Sequence, residues 1–82
     1  MMRGLRWLNE PREANVAPGP SGCPESVEGV GVATIREEWL VEEGWWTGAP
    51  VRRHYFELVL ETGDVVVVFR DLRSQGWFAQ HA

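Results

Sequence analysis

Apolar and polar residues alternate along the C-terminal two thirds of the chain, and this period of two predicts β-strands. The clearest run covers residues 55–61, where Phe56, Leu58 and Leu60 would lie on one face of a strand. Residues 65–70 are rich in β-branched valine, which favours a second strand directly after the first. The pattern therefore predicts a sheet built from neighbouring strands.

Residues 30–41 fit two different periods. On a strand, Ala33, Ile35, Trp39 and Val41 would share one face. A helix competes, because glutamate, leucine and arginine favour helices, but its apolar stripe would be narrow. We therefore predict a half-buried strand for this segment.

Short turns separate the predicted strands. The run "ETGD" contains Gly63, which can take a positive φ, and Asp71 is placed to accept hydrogen bonds from nearby backbone amides. A short strand at residues 77–80 follows the second turn. The fold class predicted is all-β: a small antiparallel meander of about four strands, forming a curled sheet or an SH3-like roll.

The first 26 residues have a different composition. They contain four of the five prolines, including those of the run "NVAPGPSG", and show no sustained periodicity. We predict a flexible, disordered Pro/Gly-rich tail over residues 1–26, with Leu5, Trp7 and Leu8 as a docking spot, and a small antiparallel β domain over residues 27–82. A core this small needs large side chains, a staple or a partner.

The formal net charge is −4, and all eight basic residues are arginine. A nucleic-acid-binding protein normally shows a basic stripe, because neutralising phosphates supplies much of its affinity. Only Arg52 and Arg53 approach such a stripe, so the composition disfavours nucleic acid as a partner.

Catalytic and metal-binding motifs are missing from the sequence. Cys23 is the single cysteine and the histidines are His54 and His81, so we expect neither a disulfide nor a zinc site. No combination of acid, base and nucleophile stands out, and we expect no enzyme activity and no cofactor. The lone cysteine favours a reducing cytoplasm, and no apolar run is long enough for a membrane-spanning helix.

The most suggestive residues lie around one corner of the predicted sheet. Trp45 and Trp46 precede a turn, and Arg52, Arg53 and Tyr55 follow it. Aromatic residues beside arginine are typical of protein interfaces, and also of surfaces on which nucleic-acid bases stack. We therefore predict these five residues as a partner-binding site for a protein or a second copy of the chain; the alternative is single-stranded nucleic acid.

A pattern of aromatic, glycine and arginine residues runs through residues 36–80. It comprises Trp39, Gly44-Trp45-Trp46, Pro50, Arg53, Tyr55-Phe56, Leu60, Gly63, Val65 to Phe69, Arg70-Asp71 and Gly76-Trp77-Phe78. The pattern resembles a small uncharacterised bacterial domain (a domain of unknown function) and the C-terminal segment of the catalytically inactive Y-family polymerase homologues of bacterial mutasomes. The resemblance implies an interaction or assembly module linked to DNA repair and error-prone replication. The chain contains no polymerase domain, so nucleotidyl transfer is not implied.

Overall fold

The described part of the protein is built entirely from β-strands. The computed structural model describes residues 11–44, 46, 48 and 50–80, and these contain no helix. The strands are β1 (Arg12–Glu13), β2 (Val16–Pro18), β3 (Pro24–Val27), β4 (Val30–Glu43), β5 (Val51–Leu60), β6 (Val65–Asp71) and β7 (Trp77–Gln80). They form one antiparallel sheet, ordered β1-β7-β6-β5-β4-β3-β2, which curls into a half-barrel. The predicted all-β antiparallel fold is confirmed.

Strands β4 to β7 correspond to the four strands predicted from sequence. They are consecutive neighbours in the sheet, as a meander requires. In β5 the predicted alternation is observed: Phe56, Leu58 and Leu60 are 2%, 0% and 7% exposed, while their neighbours are less buried. The strand interpretation of residues 30–41 is correct, and the helical alternative is not.

The proline-rich region differs from the predicted tail, because residues 12–27 contribute β1, β2 and β3. The prolines fit because Pro18 ends an edge strand and Pro24 begins β3, where a missing N–H costs little. Val16 pairs with Val27, and both side chains are buried. The burial of this valine pair stabilises the ordered segment. Composition alone did not indicate this contribution. The docking spot predicted at Leu5, Trp7 and Leu8 lies outside the described residues.

One stretch of chain bridges the two ends of the sheet. β1 pairs with β7 and β2 pairs with β3, although β1 and β2 are separated by only two residues, Ala14 and Asn15. The Ala14 N–H donates to the Trp77 carbonyl at 3.0 Å, and the Glu28 N–H donates to the Asn15 carbonyl at 2.7 Å. These bonds hold the curled sheet around its core.

The sheet has an inner and an outer face. The inner face carries the main core cluster, made of Val16, Val27, Phe56, Leu58, Leu60 and Val68. All seven strands of the described residues belong to one sheet, so no second sheet packs on the outer face. The molecule measures 39 × 39 × 19 Å, and its 13.4 Å radius of gyration exceeds the about 12 Å typical of compact chains of this length.

Two irregularities in β4 alter the predicted facing of its side chains. The pairing register with β5 shifts between Val32 and Thr34, and again between Ile35 and Glu37. An extra residue in one strand sends the following side chains to the opposite face. Ile35 therefore lies opposite Leu58 on the inner face, whereas Trp39 lies on the outer face. The prediction that Ile35 and Trp39 share a face is wrong for this reason.

The two predicted turns are confirmed. Gly63 has a φ of 93°, and the Leu60 N–H donates to the Asp64 carbonyl at 2.8 Å across the β5–β6 turn. In the β6–β7 turn, the Asp71 carboxylate accepts hydrogen bonds from the backbone amides of Arg73 and Ser74 at 2.9 and 3.2 Å. Both turns fix the register of the strands they join.

Candidate functional site

Four aromatic side chains form a continuous row across the outer face, one from each of strands β4 to β7. Trp39 pairs with Tyr55, Tyr55 with Phe69, and Phe69 with Phe78 in the strand register. Successive ring centroids are 5.3, 4.8 and 5.2 Å apart, which is contact distance for aromatic rings. We call these four residues the aromatic row. Direct cross-strand pairing on one face produces it.

The aromatic row is partly open to solvent. Trp39 is 39% exposed, and Tyr55 and Phe78 are half-buried. Phe69 is only 1% exposed, and the Arg53 guanidinium carbon lies 4.6 Å from the centre of its ring. Arg53 Nη1 also donates a hydrogen bond to the Tyr55 hydroxyl at 3.3 Å. Arg53 is therefore part of the surface of the row, held there by a cation–π contact.

The two sides of the aromatic row carry different charges. Arg53 pairs in register with Asp71 on one side, and Glu37 pairs with Glu57 on the other. The Asp71 carboxylate accepts backbone hydrogen bonds in its own turn. Like charges directly opposite each other on neighbouring strands are unfavourable. The Glu37–Glu57 side of the row is thus an acidic flank suited to a cation.

The ion pairs of the described residues lie away from this flank. Arg52 Nε is 2.9 Å from Glu42 Oε2, and His54 Nε2 is 2.8 Å from Glu38 Oε2. Neither pair includes Arg53 or an acid of the acidic flank. The side chains of both pairs are about 37–53% exposed, so each pair contributes little to stability.

The predicted site is consequently divided between the two faces. Arg53 and Tyr55 belong to the aromatic row and its surface, with consecutive odd positions of β5 sharing the outer face. Arg52 points the other way and pairs with Glu42. The structure therefore brings together two of the five predicted residues and separates Arg52 from them.

The corner between β4 and β5 holds the remaining predicted residues. Trp46 is 69% exposed. Trp45 lies outside the described residues. A pocket of about 220 Å³ is found beside this corner, lined by Glu42, Glu43, Pro50, Val51 and Arg52.

Sequence reasoning did not assign Trp39, Phe69 or Phe78 to the site. A signal for two of them was present, because Tyr55 and Phe69 lie equally far from the β5–β6 turn and therefore face each other. The same argument applied to the β6–β7 turn brings Phe78 opposite Phe69. Trp39 had no such signal, because its position depends on the register shifts in β4.

The described residues offer no metal centre, since they contain no group of three or more His, Cys, Asp or Glu side chains arranged to hold an ion. Within the same part of the chain, no helix is long and apolar enough to cross a membrane. The described chemistry of the outer face thus includes aromatic rings, the Arg53 guanidinium and the carboxylates beside them.

Fold and surface together define a small antiparallel β protein, a half-barrel with an aromatic row on its outer face. No protein-family model, curated protein or solved structure was found to match the chain.

Proposed function

We propose that this protein is a non-enzymatic protein-interaction module whose contact surface is the aromatic row together with Arg53. The observation that supports the proposal is the alignment of four aromatic rings across four strands, on the face opposite the main core cluster. Aromatic residues with an arginine beside them are enriched among the residues that dominate protein binding energy. Three members of the row retain exposed surface with which to contact a partner.

The charges around the row favour a protein over single-stranded nucleic acid. Aromatic rings on a sheet can stack bases, and this is the competing function for the same surface. Nucleic-acid binding also needs cations that follow the phosphate backbone. Here Glu37 and Glu57 border the row on one side, and the chain carries a formal net charge of −4. A peptide or folded protein bearing a cation opposite the acidic flank fits this pattern better.

Trp46 and Arg52 stay predictions as further contact residues at the corner between β4 and β5. The link to DNA repair and error-prone replication stays a prediction too, and it depends on the resemblance alone.

Site-specific photocrosslinking in the cells that produce the protein tests the proposed surface. The photoreactive residue p-benzoylphenylalanine replaces Trp39 in one variant and Leu40 in the matched control. These neighbours point to opposite faces and are 39% and 54% exposed, so both positions are accessible. We expect discrete protein adducts from position 39 at a yield several times that from position 40.

Equal adduct patterns at positions 39 and 40, or no protein adduct at either, would contradict the proposal. A parallel titration with a fluorescently labelled single-stranded oligonucleotide at low salt examines the competing function. Saturable binding that is lost in Trp39→Ala, without protein adducts at position 39, would assign the row to nucleic acid instead.

A further inference from the structure

We propose that the partner recognised by the aromatic row is a second copy of this chain, packed outer face to outer face about a two-fold axis that runs along the row. The inference rests on the proposed function and adds the identity of the partner. It follows from the order of side chains along β5, where the two charged neighbours of Tyr55 on this face have opposite signs.

Arg53, Tyr55 and Glu57 occupy alternate positions of β5 and share the outer face. Arg53 and Glu57 are four positions apart on the strand, so about 13 Å separates their Cα atoms, at roughly 3.3 Å per residue. The two charges belong to opposite sides of the row, and the ion pairs of the described residues do not include either one. A complementary partner must present the same charges in reverse order.

A second copy presents that reverse order. A two-fold axis along the row, perpendicular to the strands, reverses the strand direction of the partner and keeps the position along the row. Arg53 then faces Glu57 of the partner subunit, and Tyr55 faces Tyr55 of the partner subunit. Such a contact is self-complementary, as an isologous interface requires, and the strands of the two sheets stay aligned as in common face-to-face packing.

Two features of the single chain favour dimerisation: the acidic flank and the small core. Glu37 lies opposite Glu57, so an arginine from the partner would relieve a repulsion present in a single copy. Arginine suits this place because its planar guanidinium donates to two carboxylate oxygens at once. The described residues include only seven buried hydrophobic side chains, and contact along the row buries further apolar surface.

Charge reversal provides a direct test by sedimentation velocity, with far-UV circular dichroism to verify folding. We expect the unmodified protein to sediment as a dimer at tens of micromolar. Arg53→Glu alone and Glu57→Arg alone each place like charges face to face across the axis. Each is expected to weaken dimerisation about tenfold or more. Arg73→Glu, a reversal in the exposed β6–β7 turn, is the control and should leave the dimer intact.

Mixing the two single variants gives the decisive result. In a mixed pair, every reversed charge meets an opposite charge, so an equimolar mixture of R53E and E57R should form heterodimers at concentrations where each alone is monomeric. The double variant R53E/E57R should regain the homodimer for the same reason. An arrangement in which Arg53 does not face Glu57 of the partner subunit predicts neither recovery.

The second-copy inference would be overturned if the unmodified protein were a monomer at about 100 µM, a concentration well above the dissociation constants of specific dimers. It would also be overturned if the mixture were no more associated than its components. That outcome leaves the proposed function standing if position 39 still forms adducts with other proteins. Loss of all protein adducts at position 39 would remove the proposed function itself.

Discussion

At the scale of single residues, burial separates chemically identical side chains. Leu58 is 0% exposed at the centre of the inner face, whereas Leu40 is 54% exposed. We expect Leu58→Ala to lower the free energy of unfolding by about 2–5 kcal/mol, because it leaves a cavity in the core. Leu40→Ala should change it by about 0.5 kcal/mol or less. Urea denaturation followed by tryptophan fluorescence measures both, and equal losses would contradict the placement of Leu58, rather than Leu40, in the core.

Phe69 shows which properties of a side chain the alternation of residues can predict. The alternation in β6 predicts that Phe69 shares a face with Val65 and Val67, and the register confirms it. Its near-complete burial was not predictable, because it depends on side chains of neighbouring strands that cover the ring: the Arg53 guanidinium and the rings of Tyr55 and Phe78. Alternation identifies the face of a side chain, but cross-strand contacts determine how much of it solvent reaches.

At the scale of elements, β2 tests the ordering of the proline-rich segment. Val16 is 8% exposed and pairs with Val27, whereas the next residue, Ala17, is exposed on the other side of the same strand. We expect Val16→Asp to destabilise the protein by about 2 kcal/mol or more, because it buries a charge without a partner. Ala17→Asp should be nearly neutral. Thermal unfolding of both variants is the measurement. Unchanged melting temperatures in both would match a disordered tail and contradict the pairing of β2 with β3.

The strands that sequence predicted share one property: each shows alternation and adjoins a turn with its own signal. Gly63 and Asp71 mark the two turns that join β5, β6 and β7. β1, β2 and β3 are two to four residues long, so none spans enough residues to show a period. β1 in addition depends on a distant strand, since it meets β7 only because the chain returns across the whole sheet. β4 was recognised, but its two register shifts leave no mark in composition.

At the scale of the whole molecule, the two faces of the sheet differ in composition: one forms the core and the other carries the aromatic row. The inner face, bordered at its two ends by the strands of residues 12–18, holds the main core cluster. The outer face carries a row of aromatic rings between an arginine and two glutamates. A single sheet of this size has little apolar area to bury on one side alone. Surface that contacts a partner can therefore contribute to both recognition and folding.

Coupling of the proposed dimer to folding makes stability depend on concentration. If each copy unfolds as the dimer separates, mass action raises the melting temperature as protein concentration increases. For two chains of 82 residues, a tenfold increase in concentration should raise the melting temperature by about 4 °C, given the typical unfolding entropy per residue. Differential scanning calorimetry at 10-fold spaced concentrations (about 10 and 100 µM) measures the shift. Arg53→Glu should lower the melting temperature at both concentrations while Arg73→Glu leaves it unchanged, because only Arg53 faces the partner. A melting temperature independent of concentration in the unmodified protein would show that folding does not use the second copy.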